Sequence, residues 1–591
     1  MLVLGISDSH NSTAALYEDG RLVAAVAEER LRRVKNWMGF PRQAVEECLR
    51  IGRRDLGDVD YVALTGLSRP FPYHSREAII AAFRNTDGMT GGGLPMHRVR
   101  YALVQALYKG RLRDLYRSTP LWKSRDQERW RKRIADVTEL GVPEEKVAIV
   151  EHHFAHASAA YYGWAKFDED VLVLTNDGGG DGLCATVNIG RGGRLERIAD
   201  VHWWESVGML YAMTTCVLGM VPLEHEYKVM GMAPYAETKG AQKVFDDLKQ
   251  LFEFDGPDGT VWKRRSPFPE SFATYNFLRD LFELRRFDWI CGGLQQFIED
   301  FITRWVRNCI RATGIRKVAL SGGLFMNIKL NKAIMELPEV EDLFVFPSCG
   351  DETNSIGSAY NVYAQHAGCE TMQPLRDFYT GAEYDDEQVG RAISGYSFRH
   401  ETTAQHVGGE IEQAVADLLA RGEVVARFSG REEFGARAMG NRSILADPSR
   451  PDVVKVINDA IKSRDFWMPF APSMLDRRAS DYFVNPKELP APYMIMGFDS
   501  TDRVNEFRAA CHPYDLTVRP QVVYRDWNPR YYSLLENFEA ATGRGILLNT
   551  SFNLHGYPIV SYPEDALRVL DESGLNWLAI GNHLLHKEAG G

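Results

Sequence analysis

The run Glu151-His152-His153-Phe154-Ala155-His156 sets two imidazoles four residues apart. On a helix that spacing puts His152 and His156 on one face, where both rings can hold a single ion. Two carboxylates stand where they could complete the shell: Asp177, at the end of the apolar run VLVLTN, and Asp351, in a loop opened by Gly350. Two imidazoles with carboxylate oxygens suit iron, zinc or manganese, and ligand type alone does not choose among them. Each imidazole on its own equally fits a core position bonded to backbone. What tips the reading is the nearness of Asp177-Gly178-Gly179-Gly180.

His10 lies in SDSHNSTAAL, after the first apolar run and beside small polar residues. A neutral imidazole there could act as general base toward a hydroxyl, or simply cap a turn. Glycine-rich turns at Gly178–Gly180 and at Ser321-Gly322-Gly323 allow backbone N–H groups to approach an anion. A denser anion signal lies further on, in GREEFGARAMGNRSI (430–444), where guanidiniums alternate with glycines. Arginine forks suit phosphate oxygens, and Arg437, Lys462, Arg464, Arg519 and the stretch Asn549–Asn553 could frame a small dianion. Ion pairs with Glu432 and Glu433 explain some of these arginines but not the glycine spacing.

These groups need elements to hold them. Apolar runs at Leu2–Ser7, Thr13–Tyr17 and Leu22–Val26 read as strands, the last two joined through Glu18-Asp19-Gly20 as a hairpin. VLVLTNDGGGDG (171–182), KVALSGGLFMN (317–327) and LFVFPSCGDETNSIG (343–357) each read as strand, Gly-rich turn and helix, an α/β arrangement around phosphates. Neither GxxxxGK[ST] nor GxGxxG occurs in them, which removes the P-loop and Rossmann readings. A domain boundary is expected near 366–380, with new strands at 423–428 and 545–550, and no internal repeat is visible. Between residues 97 and 133 basic and aromatic residues interleave with few acids, as in either a solvated helical surface or an insertion receiving an anionic ligand.

Composition bounds the partners. At 591 residues the chain is too long for one core. A net charge of -11 argues against a general nucleic-acid binder, which needs Lys and Arg in excess. Eight scattered cysteines without a CxxC pair predict free thiols in a reducing compartment. The start MLVLGISDSHNS lacks the basic flank and apolar stretch of a signal peptide, and no run reaches the roughly 20 apolar residues of a membrane helix. The expectation is a cytoplasmic protein with no membrane and no nucleic-acid partner.

Read together, these segments resemble the NodU/CmcH family of O-carbamoyltransferases. The match runs through LGISDSHNSTAALYEDGRLVAAVAEERLRRVKN (4–36), HHFAHASAAYY (152–162), NDGGGDG (176–182), SVGMLY (206–211), EYKVMGMAPYA (226–236), SGGLFMN (321–327) and GDETNSIGSAY (350–360). It resumes in GREEFGARAMGNRSILADP (430–448), KSRDFWMPFAPSML (462–475), TVRPQVV (517–523) and TGRGILLNTSFNLHGYPIV (542–560). The resemblance implies a mixed α/β chain with two domains: an actin/Hsp70-like domain over 1–370, similar to tRNA-threonylcarbamoyl transferases and carrying a basic insertion at about 88–145, and a YrdC-like domain over 376–591. The implied activity converts carbamoyl phosphate and ATP to carbamoyl adenylate and passes the carbamoyl group to a hydroxyl of a small-molecule acceptor of natural-product type. The shared domain types leave a tRNA threonylcarbamoyl-type enzyme as the alternative.

Carried over by position, the resemblance makes His152, His156, Asp177 and Asp351 ligands of a divalent metal, Fe(II) first, with Zn or Mn open and Mg alongside ATP. His10 becomes the general base. Lys35, Gly178, Gly179, Gly322, Gly323 and Asn327 become the nucleotide site. Arg437, Lys462, Arg519 and Asn549 become the carbamoyl phosphate pocket, with Arg437 and Lys462 also catalytic. Four positions depart from the family pattern: Asn36 for a frequent His, Met468 for Arg, Leu516 for Gly and Tyr557 for Glu. The second of these would remove one anion contact unless Arg464 supplies it.

Overall fold

A computed structural model describes residues 1–68, 75–84, 120–265, 269, 274–462 and 464–588, the side chains of 120–127 and 129 excepted. The basic stretch up to residue 119 therefore lies outside the described residues. Two five-stranded sheets build the front half. The first contains β1 (Leu2–Ser7), β2 (Thr13–Glu18), β3 (Arg21–Ala27), β4 (Tyr61–Thr65) and β5 (Val147–Val150), ordered β3-β2-β1-β4-β5. The second contains β6 (Val171–Gly180), β7 (Leu183–Arg191) and β8 (Arg194–His202). After a separate hairpin of β9 (Phe252–Asp255) and β10 (Val261–Arg264), it gains β11 (Lys317–Ser321) and β12 (Asp342–Val345), ordered β12-β11-β6-β7-β8.

Both sheets follow one plan: an antiparallel three-strand meander whose first strand pairs in parallel with a later strand, which in turn pairs in parallel with a second. So the front half is duplicated in topology although the sequence shows no repeat. Pairing geometry needs only apolar alternation and turn residues, which many unrelated sequences satisfy. The expected hairpin is present, with Asp19 and Gly20 at φ 48° and 85° joining β2 to β3. One expected unit is corrected. After β6 comes no helix but β7, because Asp181 (φ 50°) and Gly182 (φ 89°) reverse the chain into a hairpin.

The rear half is one eight-stranded mixed sheet, ordered β13-β22-β21-β14-β15-β20-β16-β19. Its strands are β13 (Thr402–His406), β14 (Val425–Phe428), β15 (Arg442–Ala446), β16 (Ala471–Leu475), β19 (Gln521–Val523), β20 (Ile546–Ser551), β21 (Trp577–Ile580) and β22 (His583–Lys587). The short pair β17 (Phe483–Val484) and β18 (Asp499–Ser500) lies apart. Separate apolar clusters cover the rear sheet, one around Phe428, Leu548 and Leu567 and the other around Leu535, Leu547 and Phe538.

The front helix Asn354–Ala367 ends where the expected boundary begins. Past it, the chain crosses the front sheets: Gln373 N donates to Gly20 O at 2.9 Å, and Thr380 Oγ1 to Ala25 O at 3.1 Å. Packing also crosses the boundary, since Ile495, Phe498, Phe507 and Val518 belong to the front core. A buried Arg30–Glu432 pair at 2.5 Å adds a polar tie between the halves. The eight cysteines are free, all but Cys369 buried. No helix among the described residues is long and apolar enough to cross a membrane.

Candidate functional site

The helix His152–Trp164 is capped by Glu151, whose carboxylate accepts from His153 N and Phe154 N at 3.0 and 2.9 Å. Its alanine-rich length is buried, so the His pair is presented from a rigid element. The helix Asn354–Ala367 packs on it backbone to backbone: a Cβ at Gly357 would stand 2.0 Å from Ala155 O. That approach brings the loop holding Asp351 over the imidazoles.

His152 Nε2 lies 3.5 Å from both Asp177 Oδ2 and Asp351 Oδ1, and His156 Nε2 lies 3.4 Å from Asp351 Oδ1. One ligand atom from each of the four residues falls within 4.8 Å of the others. Ser321 Oγ pairs with His156 Nδ1 at 3.2 Å, which leaves Nε2 facing Asp351. Gly323 N and Gly179 N donate to the two oxygens of Asp177 at 2.8 and 3.2 Å. His152 Nε2 and Asp351 Oδ1 are buried with no hydrogen-bond partner. Burial works against a charged His152, yet Asp351 and Asp177 outweigh it and push the imidazole up to about 10. The carboxylates thus call for a cation, and these residues fit a divalent metal. His153, between the two, turns away to Thr175 Oγ1 at 2.9 Å.

A single cavity of about 1800 Å³ opens beside this cluster and continues into the rear half. His10 lines it, its Nε2 buried without a partner, and burial holds its pKa below the ordinary value despite Asp351 and Glu29. Gly178, Gly179, Gly323, Asn327 and Lys35 line it too. Gly322 does not line the cavity but makes the turn: its φ is 112°, and a Cβ there would stand 2.3 Å from Asn176 O. Asn327 caps the helix Ile328–Met335 through Leu330 N and exchanges amide hydrogen bonds with Gln295 at 3.1 and 2.8 Å. Lys35 donates to Glu224 at 3.2 Å, and Arg76 grips the same carboxylate.

At the rear end Arg437, Lys462, Arg464 and Arg519 line the cavity together. Lys462 is 2 % exposed and donates to Ser551 Oγ at 3.1 Å and Asn553 Oδ1 at 2.9 Å. Arg464 donates to Thr550 Oγ1 at 3.0 Å and lies over the Phe470 ring. Among the described residues none of the four forms an ion pair. Burial, reinforced by neighbouring cations, holds Lys462 and Arg519 well below their ordinary pKa values and Arg464 at about 10; burial also lowers Arg437, against Tyr227 and Glu352. Four basic side chains, none of them in an ion pair, make a site for a multiply charged anion.

Asn549 is corrected. It sits behind the cavity wall, its amide donating to Ala438 O, Ser473 Oγ and Gln521 Oε1 at 3.1, 2.9 and 3.2 Å. Asn549 and Ser551 lie on the same face of β20, but Asn549 sits deeper along the strand and is covered, whereas Ser551 at the strand end and Asn553 beyond it line the cavity. Met468 lies against Gly231, so Arg464 is the guanidinium this segment offers. Leu516 stands at φ 59°, in the left-handed region where glycine is the easier residue. Asn36 and Tyr557 both line the cavity. From the basic stretch, Arg133 spends its charge on Asp8 in a buried bidentate pair at 2.8 and 2.9 Å rather than on a ligand.

Sequence reasoning missed Ser348, Glu352 and Tyr227. Glu352 and Tyr227 line the cavity, and Ser348 holds Glu352 from behind. The cue for Glu352 was its place beside Asp351; Ser348 and Tyr227 carry no chemical spacing of their own.

The family "Carbamoyltransferase N-terminus" matches residues 2–360 and "Carbamoyltransferase C-terminus" residues 416–587. An uncharacterized protein of Synechocystis sp. is 31% identical, the alignment covering 99% of this chain and 97% of that one. Nodulation protein NolNO of Sinorhizobium fredii is 29% identical over 98% of this chain and 79% of its own. Nodulation protein NolO of Bradyrhizobium diazoefficiens is 30% identical over 74% and 79%. With both family halves matched in order, the chain belongs to the carbamoyltransferase family and is a carbamoyltransferase enzyme.

Proposed function

We propose that the enzyme is an ATP-dependent O-carbamoyltransferase with carbamoyl phosphate as donor and a small hydroxyl compound as acceptor. The observation that carries this reading is the single cavity that joins a cation-seeking His/Asp cluster to four unpaired cations. The rear cations hold the phosphoryl dianion, and Arg437 and Lys462 stabilise charge as water releases phosphate and carbamate. Carbamate then attacks the α-phosphorus of ATP, giving carbamoyl adenylate and pyrophosphate. The acceptor oxygen attacks the carbamoyl carbon, His10 takes its proton, and AMP leaves. An enclosed passage suits carbamate, which water would otherwise reach.

His152, His156, Asp177 and Asp351 would hold the metal, which supplies Lewis acidity toward nucleotide phosphate oxygens when bound. Gly178, Gly179, Gly323, Asn327 and Lys35 shape the nucleotide side, with Gly322 setting the turn. The duplicated meander supports an actin/Hsp70-like front domain, and the mixed rear sheet is read as the YrdC-like domain. The acceptor belongs to the natural-product class, in keeping with the nodulation-protein relatives.

The test supplies ATP, carbamoyl phosphate and a panel of hydroxyl acceptors, then measures AMP, pyrophosphate and carbamoylated product. His152→Ala with His156→Ala is expected to lower metal content and transfer while carbamoyl phosphate hydrolysis survives. Equal loss of both activities, or tRNA as the preferred acceptor, overturns the reading.

A further inference from the structure

Among the described residues the rear sheet ends at β13, which pairs with β22, and on that edge His406 and His583 stand directly opposite each other. Their ring centroids are 4.7 Å apart at 74°. Asp386, first residue of the helix Asp386–Gly395, faces both, and a capping box between Asp385 and Gln388 fixes that helix start. His406 Nε2 lies 2.7 Å from Asp386 Oδ2, and His583 Nδ1 lies 3.7 Å from Asp386 Oδ1.

We propose that Asp386, His406 and His583 form a second divalent-cation site, suited to zinc and separate from the front cluster. One ligand atom from each residue falls within 4.8 Å of the other two. Metal–ligand bonds of about 2.0–2.1 Å set tetrahedral ligands roughly 3.3 Å apart. The two contacts run to different oxygens of Asp386, so a modest rotation of the carboxylate is needed to set one oxygen at that distance from both imidazoles. A plain imidazole–carboxylate hydrogen bond accounts for His406, but not for His583. The side chain of His583 is only 15% exposed, and its Nδ1 is buried without a hydrogen-bond partner.

Two imidazoles and one carboxylate match zinc and its imidazole-preferring neighbours rather than magnesium or calcium. Among the described residues no lysine or arginine pairs with Asp386; its ion-pair contacts are the two histidines alone. Asn582 N also donates to Asp386 Oδ1 at 3.3 Å, an outer contact that orients the carboxylate. With its side chain 55% exposed, His406 leaves the ion an entry path and an open position for water. Bound there, zinc would pin an edge strand, its neighbour and a helix start that are far apart in sequence.

The probe is zinc itself, added to chelator-stripped full-length protein and counted by equilibrium dialysis with elemental analysis. In a His152→Ala/His156→Ala background, one zinc per chain is expected at micromolar free metal, with a rise in Tm of several degrees. Both effects should vanish in His583→Ala and in the more exposed His406→Ala, the second guarding against a folding defect. Cobalt in place of zinc should give visible d–d absorption that His406→Ala abolishes. The proposal is overturned if the background protein binds no zinc, or if its zinc survives both histidine substitutions and Asp386→Asn.

Discussion

Ser348 donates its hydroxyl hydrogen to Glu352 Oε1 at 2.5 Å while the same oxygen accepts from Ala436 N at 3.0 Å. Glu352 follows the metal-side Asp351, and Ala436 precedes the anion-side Arg437. One buried hydroxyl therefore ties the loops of the two half-sites. Ser348 also stands at φ 53°, in the left-handed region that a non-glycine residue adopts at a cost. Ser348→Gly relieves the backbone and removes only the bridge. Leaving buried partners unsatisfied costs ~1–3 kcal/mol. Urea denaturation should show that loss, and carbamoyl transfer should fall more than carbamoyl phosphate turnover. Unchanged transfer in a folded variant would show that the bridge does not position the loops.

The rear cluster predicts opposite effects on binding and on stability. Arg437→Ala or Arg519→Ala removes charge-assisted hydrogen bonds worth about 1.5–3 kcal/mol each. Phosphate affinity measured by calorimetry should weaken roughly 10- to 150-fold. In the ligand-free protein the same cluster is uncompensated, since burial and the other arginines already depress Arg519. Arg519→Met should therefore raise Tm, by ~2–4 °C for each kcal/mol gained in a domain of this size. A variant that loses both affinity and stability would mean that the cations hold the wall together instead.

Much of this site was legible because its residues announce themselves at short range. His152 and His156 share a helix face by spacing alone, and Asp177 and Asp351 follow apolar runs that had to be strands. Arg437, Lys462, Arg464 and Arg519 stood out as cations among glycines and small polar residues. What stayed hidden depends on long-range pairing. Asn549 and Ser551 share one face of β20, and Asn549 is kept from the cavity by Ala438, Ser473 and Gln521, which reach it from segments distant in sequence. The hairpin after Asp177 was misread because the glycines of 178–182 serve a turn into a strand as readily as a turn into a helix. The duplicated meander left no sequence trace, since the two copies share pairing and not residues. Asp386, His406 and His583 meet only when a helix start is laid against the two strands at the sheet edge.

Gly357 makes a sharper prediction on the front site. A Cβ there would meet Ala155 O at 2.0 Å, far inside contact distance, with backbone on both sides and no flexible end to yield. Gly357→Ala should force apart the helices carrying Asp351 and the His pair, at a cost of ~1–3 kcal/mol or more. Metal content of the purified variant should fall together with Tm. Full metal occupancy at a lowered Tm would mean that the loop of Asp351 follows the His helix rather than its own.

Lys462 links the anion site to pH. Burial, with Arg464 and Lys35 nearby, lowers its pKa well below 10.5, so in the empty cavity it loses its proton earlier than an exposed lysine. A bound dianion favours the charged form and raises the pKa again. Between the lowered and the restored value, binding must take up a proton, so affinity falls as pH rises through the free-site pKa and is highest below it. Inorganic phosphate is the clean probe, because at pH 9 it is already a dianion and its own titration contributes nothing. Calorimetry at pH 9 in buffers of different ionisation enthalpy should show net proton uptake on binding, and Lys462→Met should abolish it. Uptake that persists in Lys462→Met would assign the coupled proton to another group, and no uptake at all would mean that Lys462 stays charged in the empty site.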